Sequence, residues 1–189
     1  ASDMGPSVSD IDPGFVLDHL EPEQKSQVKT LLLKYADIFN DMPGRTTLGS
    51  HSIRLLEGAK PFKLPPYRVH PEKAELIKQE LELMLRIGVI EPSSSPFASP
   101  VVIVPQSEGK SRFCIDFRRL NSLTVPDGFP MKRIDDLIDK VGQAEFLTKI
   151  DLSRGYWQVP MEDSSIPLSA FVTSHGHFQW RYMPFGLRH

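Results

Sequence analysis

The chain has 189 residues and little of several things that would point to particular classes of protein. It holds one cysteine, Cys114, so no internal disulfide framework is available, which fits a reducing compartment. Cys114 lies in the apolar run Phe113–Ile115 and reads as a small core residue. No apolar run approaches the roughly 20 residues that cross a bilayer, and no secretory signal is visible. The expectation is a soluble, intracellular protein without a membrane partner. An excess of either sign is also lacking: the formal net charge is -2, so composition does not announce a nucleic-acid binder. The acidic excess is local, with 4 Lys/Arg against 8 Asp/Glu in residues 1–50 and 18 against 16 thereafter. There is no internal repeat and no Cys/His cluster. His175 and His177 lack carboxylate or thiol neighbours and read as turn and strand residues rather than metal ligands.

What is present is a series of short, well-punctuated elements. Residues 1–20, rich in Ser, Asp, Gly and Pro, read as a leader or linker. A helix is expected from Glu21-Pro22, with Val28, Leu31, Leu32, Tyr35 and Phe39 as its buried face, ending at Met42-Pro43-Gly44. Residues 44–70 read as extended connection. A second helix opens at Pro71 and closes at Gly88, with Ala74, Ile77, Leu81, Met84 and Leu85 as a core-facing stripe. Glu91–Pro100 holds three prolines and four serines and is expected to be irregular. Val101–Val104 and Arg112–Asp116 read as a hairpin around Ser107–Lys110. Asp127-Gly128 breaks the chain. A short helix follows with Ile134, Leu137, Ile138 and Val141 on one face and Asp135, Asp136 and Asp139 solvated on the other. Leu168–Thr173 and His177–Tyr182 read as a final hairpin. Helices first, then strands mixed with short helices, predict an α+β fold.

The segment FLTKIDLSRGYWQ (residues 146–158) carries the chemistry. Phe146, Leu147 and Ile150 read as a strand that delivers Asp151 to its end, where a carboxylate held by a rigid sheet suits metal binding. The alternative is that Asp151 only N-caps a following helix. Asp116 reads as the structural partner of a nearby arginine, and Asp135-Asp136 as helix-start carboxylates.

From about Pro61 onward the chain resembles the reverse transcriptase of gypsy-type long-terminal-repeat retrotransposons. The blocks stand in order: YRVHPEKAELIKQELELMLRIGVIEPSSSPFASPVVIV, RFCIDFRRLN, FPMKRIDDLIDKVGQAEFLTKIDLSRGYWQV, SAFVT and MPFGL. The resemblance implies a right-hand polymerase of which the chain holds the fingers and part of the palm. Residues 21–60 would be a helical protease-to-polymerase connection, 61–125 the fingers, 126–160 the start of the palm, and 161–189 a fingers hairpin with a truncated return to the palm.

By the same resemblance, Asp151 would be the first catalytic aspartate and bind both of two Mg2+ ions, with the Leu152 carbonyl as a further metal ligand. Tyr156 would lie under the incoming sugar and obstruct a 2′-hydroxyl, while Trp157 reads as core. Arg112 would stack on the base and contact the triphosphate, Lys110 would reach the γ-phosphate, and Phe185-Gly186 would pack beside the sugar. Arg118 would brace the template-side surface. The implied partners are an RNA or DNA template-primer, deoxynucleoside triphosphates and the rest of a Pol polyprotein, in the cytoplasm within a virus-like particle. The pattern departs where Gln106 and Ser107 replace the usual lysines and where His189 replaces an asparagine. The Asp-Asp motif is not in the chain, so the chain by itself is expected to be inactive, with an unpaired strand edge that promotes association. The alternatives are an inert nucleic-acid- or protein-binding fingers module, or a structural subunit.

Overall fold

The computed structural model describes residues 17–39, 42–106, 111–128, 130, 132–152 and 154–188. The chain forms two compact units, Ala1–Gly44 and Arg45–His189. In the first, helix α1 (Pro22–Lys34) opens on a capping box: the Glu21 side chain accepts from the third-residue backbone, and Gln24 reaches back to Glu21 N at 3.1 Å. A 3-10 turn, Ala36–Ile38, follows. The face expected to be buried is not. No α1 residue is buried, and Leu31 and Tyr35 are exposed. The spacing is helical, but the described part of this unit supplies no second layer to cover it.

The second unit is built on a five-stranded mixed sheet of order β1-β5-β4-β2-β3. The strands are β1 (Ile90–Pro92), β2 (Ser99–Pro105), β3 (Ser111–Ile115), β4 (Phe171–Thr173) and β5 (Gly176–Trp180). Pairings are antiparallel except β2 with β4, which run parallel with Ser99 opposite Phe171. The β2–β3 hairpin sets Ile103 opposite Phe113 and Val104 opposite Arg112. That two-residue period buries Val101 and Ile103 and turns Val104 and Arg112 to the exposed side. The stretch Glu91–Pro100 is not wholly irregular, because its ends join β1 and β2. Pro100 is tolerated in β2 because it has no N–H to satisfy, while its carbonyl accepts from Asp116 N at 2.9 Å.

Helix α2 (Pro71–Arg86) covers the sheet with Ile77, Leu81 and Met84; Leu85, on the flank of the stripe, stays exposed. It ends as its sequence demands. Gly88 takes φ +71°, Gly88 N donates to Leu85 O, and Val89 N to Met84 O. Residues 45–64 form a strap rather than a free connection. Thr46 N donates to Gln158 O, His51 N to Pro160 O, Ile53 N to Ser165 Oγ and Leu64 N to Ala98 O. The core runs through a chain of edge-on and tilted ring contacts: Phe113 to Phe171 at 6.1 Å, Phe171 to Trp180 at 5.7 Å, Trp180 to Trp157 at 5.8 Å.

Helix α3 (Arg118–Ser122) buries Leu120. Helix α4 (Ile134–Gly142) buries nothing, although its apolar face lies where the spacing predicts. The strand expected at Phe146–Ile150 is absent. These residues are exposed, Phe146 lies in a bend, and no backbone hydrogen bond joins them to another described residue. Extended chain becomes strand only beside another strand, and none of the described residues provides one. No helix among the described residues is long and apolar enough to cross a membrane.

Candidate functional site

The chain turns at Arg154, three residues after Asp151. Arg154 adopts left-handed backbone (φ 47°, ψ 48°), the one described non-glycine residue with positive φ. Its carbonyl accepts from Trp157 N at 2.8 Å and opens the 3-10 turn Gly155–Gln158. Position 155 has little room for a side chain: a β-carbon there would lie 3.2 Å from Leu152 Cβ. The turn sends two adjacent aromatics in opposite directions. Trp157 is buried in the core and carries the Arg154 guanidinium 4.4 Å from its ring centroid. Tyr156 remains 41% exposed and meets Phe185 edge-on at 4.7 Å.

The Arg112 guanidinium lies 4.7 Å from the Phe185 centroid. Tyr156, Phe185 and Arg112 therefore form one row, drawn from three segments distant in sequence. The Phe185 loop is fixed by its neighbour. Gly186 takes φ +91°, its carbonyl accepts from Asn121 Nδ2 at 2.8 Å, and Arg188 N donates to Asn121 Oδ1 at 2.9 Å. After β3, Asp116 accepts from the Arg118 Nε at 2.8 Å, the Arg118 Nη2 at 2.6 Å, the Arg118 backbone N–H and the Tyr67 hydroxyl. The Arg118 hydrogen bonds, helped by Tyr67, hold the Asp116 carboxyl down at about 2.

An open cleft of about 290 Å³ lies beside the row, lined by Arg112, Phe185 and Arg154 over the indoles of Trp157 and Trp180. Both buried indole N–H groups lack an acceptor among the described residues. Leaving such donors unpaired costs on the order of 1–3 kcal/mol each. Asp151 is not part of the cleft lining. Its side chain is exposed and makes no hydrogen bond or ion pair with a described residue. It does not cap the following 3-10 turn, whose N-cap is Arg154. Leu152 is exposed as well, and Lys110 lies outside the described residues.

The residues present do not fit a pair of divalent cations. Such cations take about six oxygen ligands, and among the described residues no group of three His, Cys, Asp or Glu could hold a metal. Asp135 and Asp136 stand in the exposed first turn of α4, with Arg133 3.6 Å from Asp135. His177 donates its Nε2 hydrogen to Phe97 O at 2.9 Å, a structural contact.

Sequence reasoning missed two anchors. Arg45 donates from Nη1 to Trp157 O at 2.8 Å and from Nη2 to Ile87 O at 3.0 Å, and stacks 3.8 Å from the Tyr182 centroid. It ties the strap, the end of α2 and the turn after Asp151 together. Asn121 was legible only as part of RFCIDFRRLN, with no sign that it would hold the Gly186 loop.

Known proteins resemble the chain in sequence and in fold. The family of reverse transcriptases (RNA-dependent DNA polymerases) matches residues 104–189. A retrovirus-related Pol polyprotein from transposon 297 of Drosophila melanogaster is 33% identical over 181 residues, covering 92% of this chain and 17% of the relative. The enzymatic polyprotein of Cauliflower mosaic virus (strain Strasbourg) is 30% identical over 141 residues, covering 72% and 21%. Among solved structures, a prototype foamy virus protease-reverse transcriptase superposes with a TM-score of 0.76 at 25% identity, over 89% of this chain and 23% of that one. A foamy viral protease-reverse transcriptase in complex with RNA/DNA hybrid superposes at 0.72 with 23% identity. The chain thus spans about a fifth or less of the length of these relatives. It is part of a reverse transcriptase domain, homologous to those of retrotransposon Pol polyproteins and of the foamy virus enzyme.

Proposed function

We propose that the chain supplies the fingers and the start of the palm to an RNA-directed DNA polymerase of a gypsy-type element. In this reading 61–125 and 161–189 belong to the fingers side and 126–160 to the palm, acting in the cytoplasm within a virus-like particle. The observation that carries it is the row Tyr156–Phe185–Arg112 beside the turn that follows Asp151. Arg112 lies over the Phe185 ring and has its N–H groups to offer a triphosphate, which a guanidinium can bind in forked geometry. Tyr156, held edge-on by Phe185, is a rigid wall against which a deoxyribose fits and a 2′-hydroxyl collides. Gly186, clamped by Asn121, keeps that wall in place. Asp151 would contribute one carboxylate, and Leu152 its backbone carbonyl, to a divalent-cation site whose other carboxylates come from the rest of the polyprotein.

The apolar surface supports the same reading. Every described residue from Val125 to Arg154 is exposed, including Ile134, Ile138, Phe146, Leu147 and Ile150. Relatives several times longer than this chain have the polypeptide to cover it. The proposed partners are template-primer, deoxynucleoside triphosphates and the remaining Pol polyprotein.

The test is primer extension on an RNA template with Mg2+. The chain alone should give no extended product. The complete polymerase should extend, and Asp151→Asn should reduce extension by at least about 100-fold, beyond the loss typical for residues that only support a metal ligand. Template-dependent synthesis by the isolated chain, abolished in Asp151→Asn, would show that the chain completes the site itself.

A further inference from the structure

We infer that Arg154 is a second phosphate-binding residue, which forms with Arg112 a two-arginine clamp for the polyphosphate of a nucleoside triphosphate. This rests on the nucleotide reading of the cleft given above. Arg112 comes from β3 and Arg154 from the turn after Asp151, and both line the same cleft of about 290 Å³. Each guanidinium lies over an aromatic ring, Phe185 at 4.7 Å and Trp157 at 4.4 Å. Neither makes a hydrogen bond or ion pair with a described residue. Two other arginines of this unit are committed: Arg118 to Asp116, Arg45 to two backbone carbonyls. Glu80 is the one carboxylate of the cleft lining, and no ion pair links it to either arginine.

A cation–π contact restrains each guanidinium, and neither spends its N–H donors on a described residue, so the two cations are positioned before any ligand arrives. Two like charges on one small concave surface repel each other, and a polyanion between them removes that repulsion. The backbone adds a reason to read Arg154 as functional. A non-glycine residue at φ 47° costs on the order of 1 kcal/mol, which glycine would avoid. A long cationic side chain is kept at a position where the fold alone favours none.

The experiment titrates inorganic tripolyphosphate into the full 189-residue chain at low salt and follows tryptophan emission. Both tryptophans of the chain line the cleft, and Arg154 lies over one of them. A saturable change is expected. Arg154→Ala and Arg154→Gly should weaken binding by about 10- to 100-fold, the worth of one charge-assisted contact. Arg154→Lys should fall between these and the parent chain. Arg154→Gly suits the left-handed turn, so its melting temperature should not drop, which separates lost binding from lost folding. If both Arg154 variants bind like the parent while Arg112→Ala is weakened, Arg154 is not part of the clamp and the Arg112 reading stands. If the parent shows no saturable binding, both readings fail. If Arg154→Ala lowers affinity for a single-stranded oligonucleotide and leaves tripolyphosphate binding unchanged, Arg154 serves the nucleic-acid backbone and the clamp is wrong.

Discussion

Helices α2 and α4 start from similar instructions. Both carry apolar residues at three- and four-residue spacing and both have acidic first turns and a basic residue in the last. In α2, Ile77, Leu81 and Met84 are buried to 3% exposure or less against the sheet. In α4, Ile134 and Ile138 remain 73% and 62% exposed, and the segment that leads to Asp151 is bare as well. An amphipathic pattern states which face requires a partner; whether the partner is present is a tertiary fact. The five-stranded sheet finds its covering layer within Arg45–His189, whereas every described residue from Val125 to Arg154 stays exposed.

The comparison can be broken by substitution. Phe171→Ala, at the centre of the ring contacts, should cost about 3–5 kcal/mol in denaturant unfolding of the chain. Ile138→Ala should change it by less than about 0.5 kcal/mol, as exposed positions do. Equal losses at the two sites would mean that α4 is packed in solution. Arg45→Ala comes next. It removes two hydrogen bonds to carbonyls and a ring contact, for an expected loss of about 2 kcal/mol. Arg45→Lys should recover only part, because an ammonium cannot reach both carbonyls as a fork. A neutral Arg45→Ala would show that the strap is held by its backbone bonds alone.

The smallest loss expected at a residue with a partner concerns Asp116. Its folded value of about 2 lies below the unfolded carboxyl range, so its contribution is present above roughly pH 4 and is lost as pH falls through 2. Arg118 is largely solvated, which reduces the contribution to about 1 kcal/mol. Asp116→Asn should lower stability by that amount at pH 7 and flatten the dependence between pH 4 and 2. An unchanged acid limb would remove Asp116 from the account.

Local signals made much of this legible. Pro71 and Gly88 bound α2, the β-branched run at Val101–Val104 marks the first hairpin, and Asp116 was readable as an arginine's partner because Arg118 is two residues away. Trp157 was legible as core. Three features were not. The parallel β2–β4 pairing joins strands about 70 residues apart, with no periodicity to announce it. Arg45 reaches Trp157, 112 residues on, through a contact that only the fold creates. The strand at Phe146–Ile150 was over-read: its residues favour extended chain, but a ladder requires a neighbour, and none of the described residues supplies one.

The central claim is that the segment carrying Asp151 becomes structured only within the complete polymerase. Amide hydrogen exchange measures this directly. In the isolated chain, amides of β2, β4 and β5 should exchange slowly and those of Phe146–Leu152 close to the unprotected rate. In the complete polymerase, Phe146–Leu152 should become protected to a degree comparable with β2. Slow exchange at Phe146–Leu152 in the isolated chain, equal to that of β2, would contradict the account.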